Sequence, residues 1–270
     1  MAPDRPIAPP GLAADLELMR QVAAEAGRIA MRYFRKDNEV WHKSGNSPVS
    51  EADIAVDTFL RESLMAARPD YGWLSEETLD NPDRLERALL FVVDPIDGTR
   101  GFIAGEAEWC VSVGLVAGTR PVAGVLECPA LERSFSAAAE LPAFLNGKEL
   151  AIEPSSRIER VTASRKLNAL LARKYPDVMN VREFVPSLAY RLALVATGEI
   201  DAAFARPGAQ DWDLAAAEII LEQAGGRLTD LHGAVRQYNQ EKTGAPSLVA
   251  SGPGRHEALL NLANSGGFLH

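Results

Sequence analysis

Apolar residues at Leu12, Leu16, Met19, Val22, Ala23, Ala26, Ile29, Ala30 and Phe34 recur every three or four positions, which predicts one long amphipathic helix. A second helix is expected from Glu51 to Ala67, stopped by the segment from Pro69 to Gly72. The pattern then changes. Leu89 to Val93 is a continuous apolar run that ends abruptly in Asp94-Pro95, as a buried strand feeding a polar loop would. Cys110 to Ala117 and Val122 to Leu126 flank Gly118-Thr119-Arg120-Pro121 and predict a hairpin. Asn146-Gly147 marks another turn before a short strand to Ile152.

Beyond Glu153-Pro154-Ser155-Ser156 short strands and helices alternate. Strands are expected at Arg160 to Ala163, Asp201 to Ala205 and Leu248 to Ser251. Helices are expected at Lys166 to Arg173, Ser187 to Thr197, Leu214 to Ala224 and Glu257 to Ala263, with Gly198 and Gly225-Gly226 as stops. The class is therefore α/β, with an α+β first half and an α/β second half. The expected organisation is a flexible arm over residues 1–11, an α+β subdomain over 12–154 and an α/β subdomain over 155–270.

The chain has 270 residues, enough to bury a substantial core without a metal or disulfide staple. With 28 Lys+Arg against 37 Asp+Glu the net charge is −9, which excludes a nucleic-acid polymer as partner and leaves room for a small phosphorylated ligand held by local cations. Cys110 and Cys128 cannot build a disulfide framework and read as buried, reduced thiols of a cytoplasmic protein. No apolar run approaches the ~18 residues that a membrane span needs. The first ten residues hold four prolines and no apolar stretch, unlike a signal peptide.

Four acidic clusters stand where a strand or helix meets a loop: Asp53, Glu76-Glu77, Asp94-Pro95-Ile96-Asp97-Gly98-Thr99 and Asp211-Trp212-Asp213. Asp94 and Asp97, three apart around a proline turn, can converge on one point, where two carboxylates repel unless a cation lies between them. Oxygen donors of that kind suit Mg²⁺ better than zinc. Gly98 lets backbone amides approach an anion, and Thr99 adds a hydroxyl. Each cluster alone also reads as ordinary structure: a turn with capping aspartates, a solvated loop at Glu76-Glu77, a helix cap at Asp213, a first-turn acid at Asp53. His42, His232, His256 and His270 show no metal-ligand spacing, and no G-x-S-x-G, Walker or dinucleotide-binding glycine pattern occurs.

With Glu76-Glu77, Asp94-Pro95-Ile96-Asp97-Gly98-Thr99 and Trp212-Asp213 in this order and spacing, the sequence resembles the inositol monophosphatase superfamily from the first helix to about Ser251. The resemblance implies a Mg²⁺-dependent, lithium-sensitive phosphomonoesterase, a layered α/β/α/β/α sandwich and a homodimer. It implies two or three Mg²⁺ per site, one held by Glu76 and Asp94 and another by Asp94, Asp97 and Asp213, with the Ile96 carbonyl also a ligand. Thr99, paired with Asp53, would hold the attacking water, and Glu76 belongs to the same catalytic group.

Within the superfamily, Ser47-Pro48-Val49-Ser50-Glu51-Ala52-Asp53 and Leu74-Ser75-Glu76-Glu77 look like the CysQ-like 3′(2′),5′-bisphosphate nucleotidases, as does Arg100, a basic position that histidinol-phosphate phosphatases share. Arg206, seven residues before Asp213, stands where inositol phosphatases carry a glutamate for sugar hydroxyls; a guanidinium suits a second phosphate, and a plain surface arginine also fits. Pro186 departs from the small residue that relatives place before Ser187-Leu188. The expected substrate contacts are Gly98, Thr99, Ser187, Arg206 and Asp213. Inositol 1-phosphate and histidinol phosphate are alternative substrates of the same chemistry, and a non-catalytic scaffold is a remote alternative.

Overall fold

The amphipathic stretch forms helix α1 (Leu12–Tyr33), whose stripe of Met19, Val22, Ala23, Ala26 and Ala30 is buried. The coordinates are a computed structural model that describes residues 7–36, 39–42, 48–174, 180–181 and 184–266. Most of the expected N-terminal arm, Ser47 of the Ser47–Asp53 motif and His270 lie outside the described residues. An antiparallel pair, β1 (Val40–His42) and β2 (Pro48–Ser50), leads into α2 (Glu51–Ala67).

Seven strands form the larger sheet in sequential order: β3 (Gly72–Ser75), β4 (Leu89–Asp97), β5 (Cys110–Ala117), β6 (Arg120–Cys128), β7 (Arg133–Ala138), β8 (Ala143–Leu145) and β9 (Lys148–Leu150). β3 runs parallel to β4, and the remaining pairs are antiparallel. A short helix, α3 (Thr99–Ile103), follows β4. The smaller sheet holds β10 (Arg160–Thr162), β11 (Asn180–Val181), β12 (Ala202–Ala205), β13 (Arg227–Asp230) and β14 (Leu248–Ser251), in the order β11-β10-β12-β14-β13. β11, β10 and β12 are mutually parallel, while β14 is antiparallel to both of its neighbours. Helices α4 (Arg165–Lys174), α5 (Leu188–Ala196), α6 (Asp211–Gln223) and α7 (His256–Gly266) complete the chain.

Alternation along the strands sorts these elements into five layers. Phe91 and Val93 of β4 face one way, into a core with α1 and α2, whereas Leu90 and Val92 face the other way, toward α5 and α6. Ala203 and Ala205 of β12 join that same central core, and Ala202 and Phe204 pack outward with Leu167, Leu171 and Leu259 of α4 and α7. The result is an α/β/α/β/α sandwich with α5 and α6 as its middle layer. Among the described residues, no helix is long and apolar enough to cross a membrane.

Two paired glycines set the middle layer. Gly114 of β5 lies directly across from Gly124 of β6. A Cβ on Gly124 would come within 2.5 Å of the Ala216 carbonyl oxygen, and one on Gly114 within 2.9 Å of the Ala215 Cβ. Without side chains there, the backbone of α6 rests on the sheet, which fixes the helix that carries Asp213 in its first turn.

Some boundaries differ from the sequence expectations, for local reasons. β4 does not stop at Val93 but runs to Asp97, because a register shift between Asp94 and Asp97 lets pairing with β5 resume at Asp97–Cys110. α6 begins at Asp211 and not Leu214, since Gln210 is its N-cap and Asp213 its third residue. β3, β7, β8 and β13 were not expected; they are short, and segments such as Arg133–Ala138 carry few β-branched residues.

Candidate active site

Parallel neighbours deliver the acidic residues. β3 and β4 point the same way, so Glu76, one residue past β3, and Asp94 and Asp97, at the end of β4, arrive at one edge of the sheet. Carboxylates three residues apart would face opposite sides of a regular strand. From Asp94 to Asp97 the chain advances three residues against two on β5 (Ser112 to Cys110), and this extra residue, next to a proline that cannot donate to the ladder, brings both to one side.

Carboxylate oxygens of Asp94, Asp97 and Asp213 lie within 4.8 Å of one another. Glu76 lines the same cleft, outside that trio. Asp94 Oδ1 accepts the Ile96 amide at 3.0 Å. Asp97 Oδ2 accepts the Ser187 hydroxyl at 2.5 Å and the Ala189 amide at 2.6 Å. Asp53 and Asp213 share one device: each is the third residue of its helix, and its Oδ2 accepts the amide of the N-cap, Ser50 or Gln210, at 2.7 Å. The other oxygen of Asp53, Oδ1, accepts the Thr99 hydroxyl at 3.1 Å. That hydroxyl is also 2.9 Å from the Ile96 carbonyl, so one proton serves two acceptors.

The electrostatics test whether this cluster suits a cation. Burial, then the charges of Glu76, Asp97, Asp213 and Asp53, push the Asp94 carboxyl well above the usual range. Burial and the Asp97 charge do the same to Asp213. Asp97 is pushed up to about 6 by burial, against the opposing hydrogen bonds of Ser187 and the Ala189 and Leu188 amides. Such carboxylates cannot all ionise at neutral pH without a compensating positive charge. All of the donors are hard oxygens, the set that Mg²⁺ takes. The residues fit the metal.

The cleft measures about 620 Å³, and four cations, Arg100, Arg165, Lys166 and Arg206, line it together with the acidic residues. Topology again explains the convergence. Arg165 and Lys166 follow β10, Phe184 follows β11 and Arg206 follows β12, so three parallel strands send their carboxyl ends to one place, where open α/β sheets bind ligands. Arg206 is thus exposed on the cleft rim, and the surface and binding readings of that residue meet. Sequence reading missed Arg165, Lys166 and Phe184. One signal was present: cations in the first turn of a helix oppose its dipole, so a basic pair opening α4 asks for a reason.

Ser187 is a correction. It was expected to touch substrate, but it is fully buried, and its hydroxyl donates to Asp97 and caps α5 by accepting the Tyr190 amide at 2.9 Å. Gly98, at φ +97°, occupies a conformation that favours glycine, and a Cβ there would meet the Ser187 backbone at 3.1 Å. Its neighbour Pro186 lines the cleft and packs against Gly101. Cys110 and Cys128 are buried free thiols, and burial pushes the Cys110 thiol upward, away from reactivity.

Residues 13–265 match the inositol monophosphatase family. The chain is 32% identical over 267 residues to a histidinol-phosphatase of Mycobacterium tuberculosis, a match covering 93% of this chain and 98% of that protein. It is 28% identical over 235 residues to the 3′(2′),5′-bisphosphate nucleotidase CysQ of Haemophilus influenzae, covering 82% and 86% respectively. Among solved structures, the extragenic suppressor protein suhB of Bartonella henselae superposes with a TM-score of 0.82 at 28% identity, over 94% of this chain and 99% of that one. Sequence and fold agree along nearly the whole length: the chain belongs to the inositol monophosphatase family, whose members are hydrolases of phosphate monoesters.

Proposed function

We propose that this phosphatase is Mg²⁺-dependent and takes a 3′(2′),5′-bisphosphate nucleotide, releasing one phosphate and leaving a nucleoside monophosphate. The observation that carries the substrate class is the set of cations that share the cleft with the acidic cluster. A monoester presents one phosphate, which belongs at the acidic end with the metal. Arg165, Lys166 and Arg206 offer further charge-assisted donors that a neutral polyol does not need and a second phosphate does.

Glu76, Asp94, Asp97, Asp213 and the Ile96 carbonyl would hold the Mg²⁺ ions. Bound there, the metal supplies Lewis acidity for the phosphate and the attacking water. The chain's own part is orientation. Asp53, fixed by the Ser50 amide and hydroxyl, holds Thr99, whose Oγ1 positions the water for in-line attack on phosphorus. Burial pushes Asp53 up to about 6, against the hydrogen bonds of Ser50 and Thr99, so it is ionised at neutral pH and basic enough to draw on that water's proton. The new P–O bond forms as the ester P–O bond breaks, with no phosphoenzyme, and the departing alkoxide takes a proton from water to leave as the alcohol. Gly98 lines this end of the cleft in a left-handed turn that leaves no room for a side chain against Ser187, and the backbone amides of that turn would meet the phosphate.

Thr99→Ala is expected to lower kcat while leaving the Mg²⁺ concentration for half-activity within about threefold, since losing one orienting hydroxyl affects the transition state more than metal binding. Titrating activity against Mg²⁺ checks it. Recovery of kcat at high Mg²⁺ would instead make Thr99 a part of the metal site.

Histidinol phosphate is a second reading. Its leaving group carries an ammonium, and Glu106 lines the cleft as an acidic partner for one. A panel decides: kcat/KM for 3′-phosphoadenosine 5′-phosphate should exceed that for histidinol phosphate and inositol 1-phosphate by at least about tenfold, the worth of one charge-assisted pair. Preference for histidinol phosphate would overturn the bisphosphate reading.

A further inference from the structure

Asp57 lies one helical turn after Asp53 on α2, among the apolar core positions Val56, Leu60 and Leu64, and is only 8% exposed. A carboxylate in such company is costly unless its oxygens are used. Both are. Oδ1 accepts the hydroxyl of Ser75, and Oδ2 accepts that of Thr78 at 2.7 Å. These two residues bracket Glu76: Ser75 directly precedes it and Thr78 follows two positions later. Ser75 Oγ in turn receives the Glu77 amide at 3.3 Å, and Trp73 Nε1 donates to Thr78 Oγ1 at 3.3 Å. The Glu76 amide itself donates to the Val93 carbonyl of β4 at 3.2 Å.

We infer that Asp57 is a positioning residue for Glu76, clamping the turn after β3 from both sides so that the Glu76 carboxylate is set toward the Asp94 cluster before a cation arrives. The inference rests on the metal reading given above. One helix would then place two parts of the machinery: Asp53 orients Thr99, and Asp57 orients Glu76. Simple packing does not account for the residue, because the neighbouring buried positions of α2 are filled by apolar side chains. The clamp removes backbone freedom that Glu76 would otherwise lose on binding, and preorganisation of this kind appears as metal affinity.

The experiment measures Mn²⁺ binding to the full-length chain by electron paramagnetic resonance, beside the Mg²⁺ concentration for half-activity. In Asp57→Ala the Mn²⁺ Kd and the Mg²⁺ concentration for half-activity should both rise by about 10-fold to 100-fold, the usual cost of removing a partner that orients a metal ligand. At saturating metal, kcat should stay within about threefold of wild type, because no group that touches the ester has changed. Asp57→Asn should bind Mn²⁺ within about threefold of wild type, since an amide still bridges two hydroxyls. If Asp57→Ala does not fold, Thr78→Val, which removes one arm of the clamp, should weaken Mn²⁺ binding in the same direction. Unchanged Mn²⁺ affinity in the folded variant overturns the positioning role, as does a loss of kcat that saturating Mg²⁺ leaves in place. A wild-type chain that binds no Mn²⁺ overturns the metal reading and the inference together.

Discussion

Asp94→Asn is expected to lower kcat by at least about 100-fold at saturating Mg²⁺, because the metal that Asp94 would hold would lose an anionic ligand, and with it several kcal/mol of transition-state stabilisation. The fold should survive, since the change keeps the volume of a side chain that is only 1% exposed and removes a charge from among like charges. Retention of more than about a tenth of wild-type kcat would contradict the assignment. Burial of these carboxylates gives a pH dependence as well. Burial raises Asp53 and Asp97 to about 6 in the folded chain, so the metal-free fold holds protons that the unfolded chain has released. That contribution is full below about pH 4, the ordinary aspartate range, and is lost as pH rises through about 6. Melting of the chelated protein should therefore move to lower temperature from pH 5 to pH 8, and Mg²⁺ should restore it most at the higher pH. An unchanged melting temperature across that range would contradict the burial of ionisable carboxylates at Asp53 and Asp97.

Arg206→Glu should separate substrates. If the guanidinium receives a second phosphate, kcat/KM for 3′-phosphoadenosine 5′-phosphate should fall by about tenfold to hundredfold or more, the cost of a lost charge-assisted pair made worse by reversed charge. Hydrolysis of inositol 1-phosphate should be unchanged or improved, because it offers no second anion. Equal losses on both would make Arg206 a general support of the cleft wall. No loss on either would return it to an exposed arginine and leave the family's shared phosphatase activity without a substrate assignment.

The acidic end of the site was legible in sequence because its residues are local: Asp94, Asp97, Gly98 and Thr99 sit within one turn, and Asp53 and Asp213 each lie three residues past a helix cap. What spacing could not show is that β4 continues through Asp97. The irregularity that aligns the two carboxylates is a property of pairing with β5, not of the segment alone. The set of cations in the cleft was less legible for a related reason. Arg165 and Arg206 are far apart in sequence and become neighbours only because β10 and β12 are parallel partners. Ser187 was misplaced because proximity to the site in a loop does not say which way a hydroxyl points; here it turns inward, to Asp97.

The most direct test of the central claim is the anomalous scattering of a crystal of the wild-type chain soaked in Mn²⁺, with Mn²⁺ standing for Mg²⁺. The account predicts at least two peaks between Glu76, Asp94, Asp97 and Asp213, with Asp94 touching both ions. Peaks absent from this cluster, or seated elsewhere while it stays empty at a Mn²⁺ concentration that supports turnover, would contradict it.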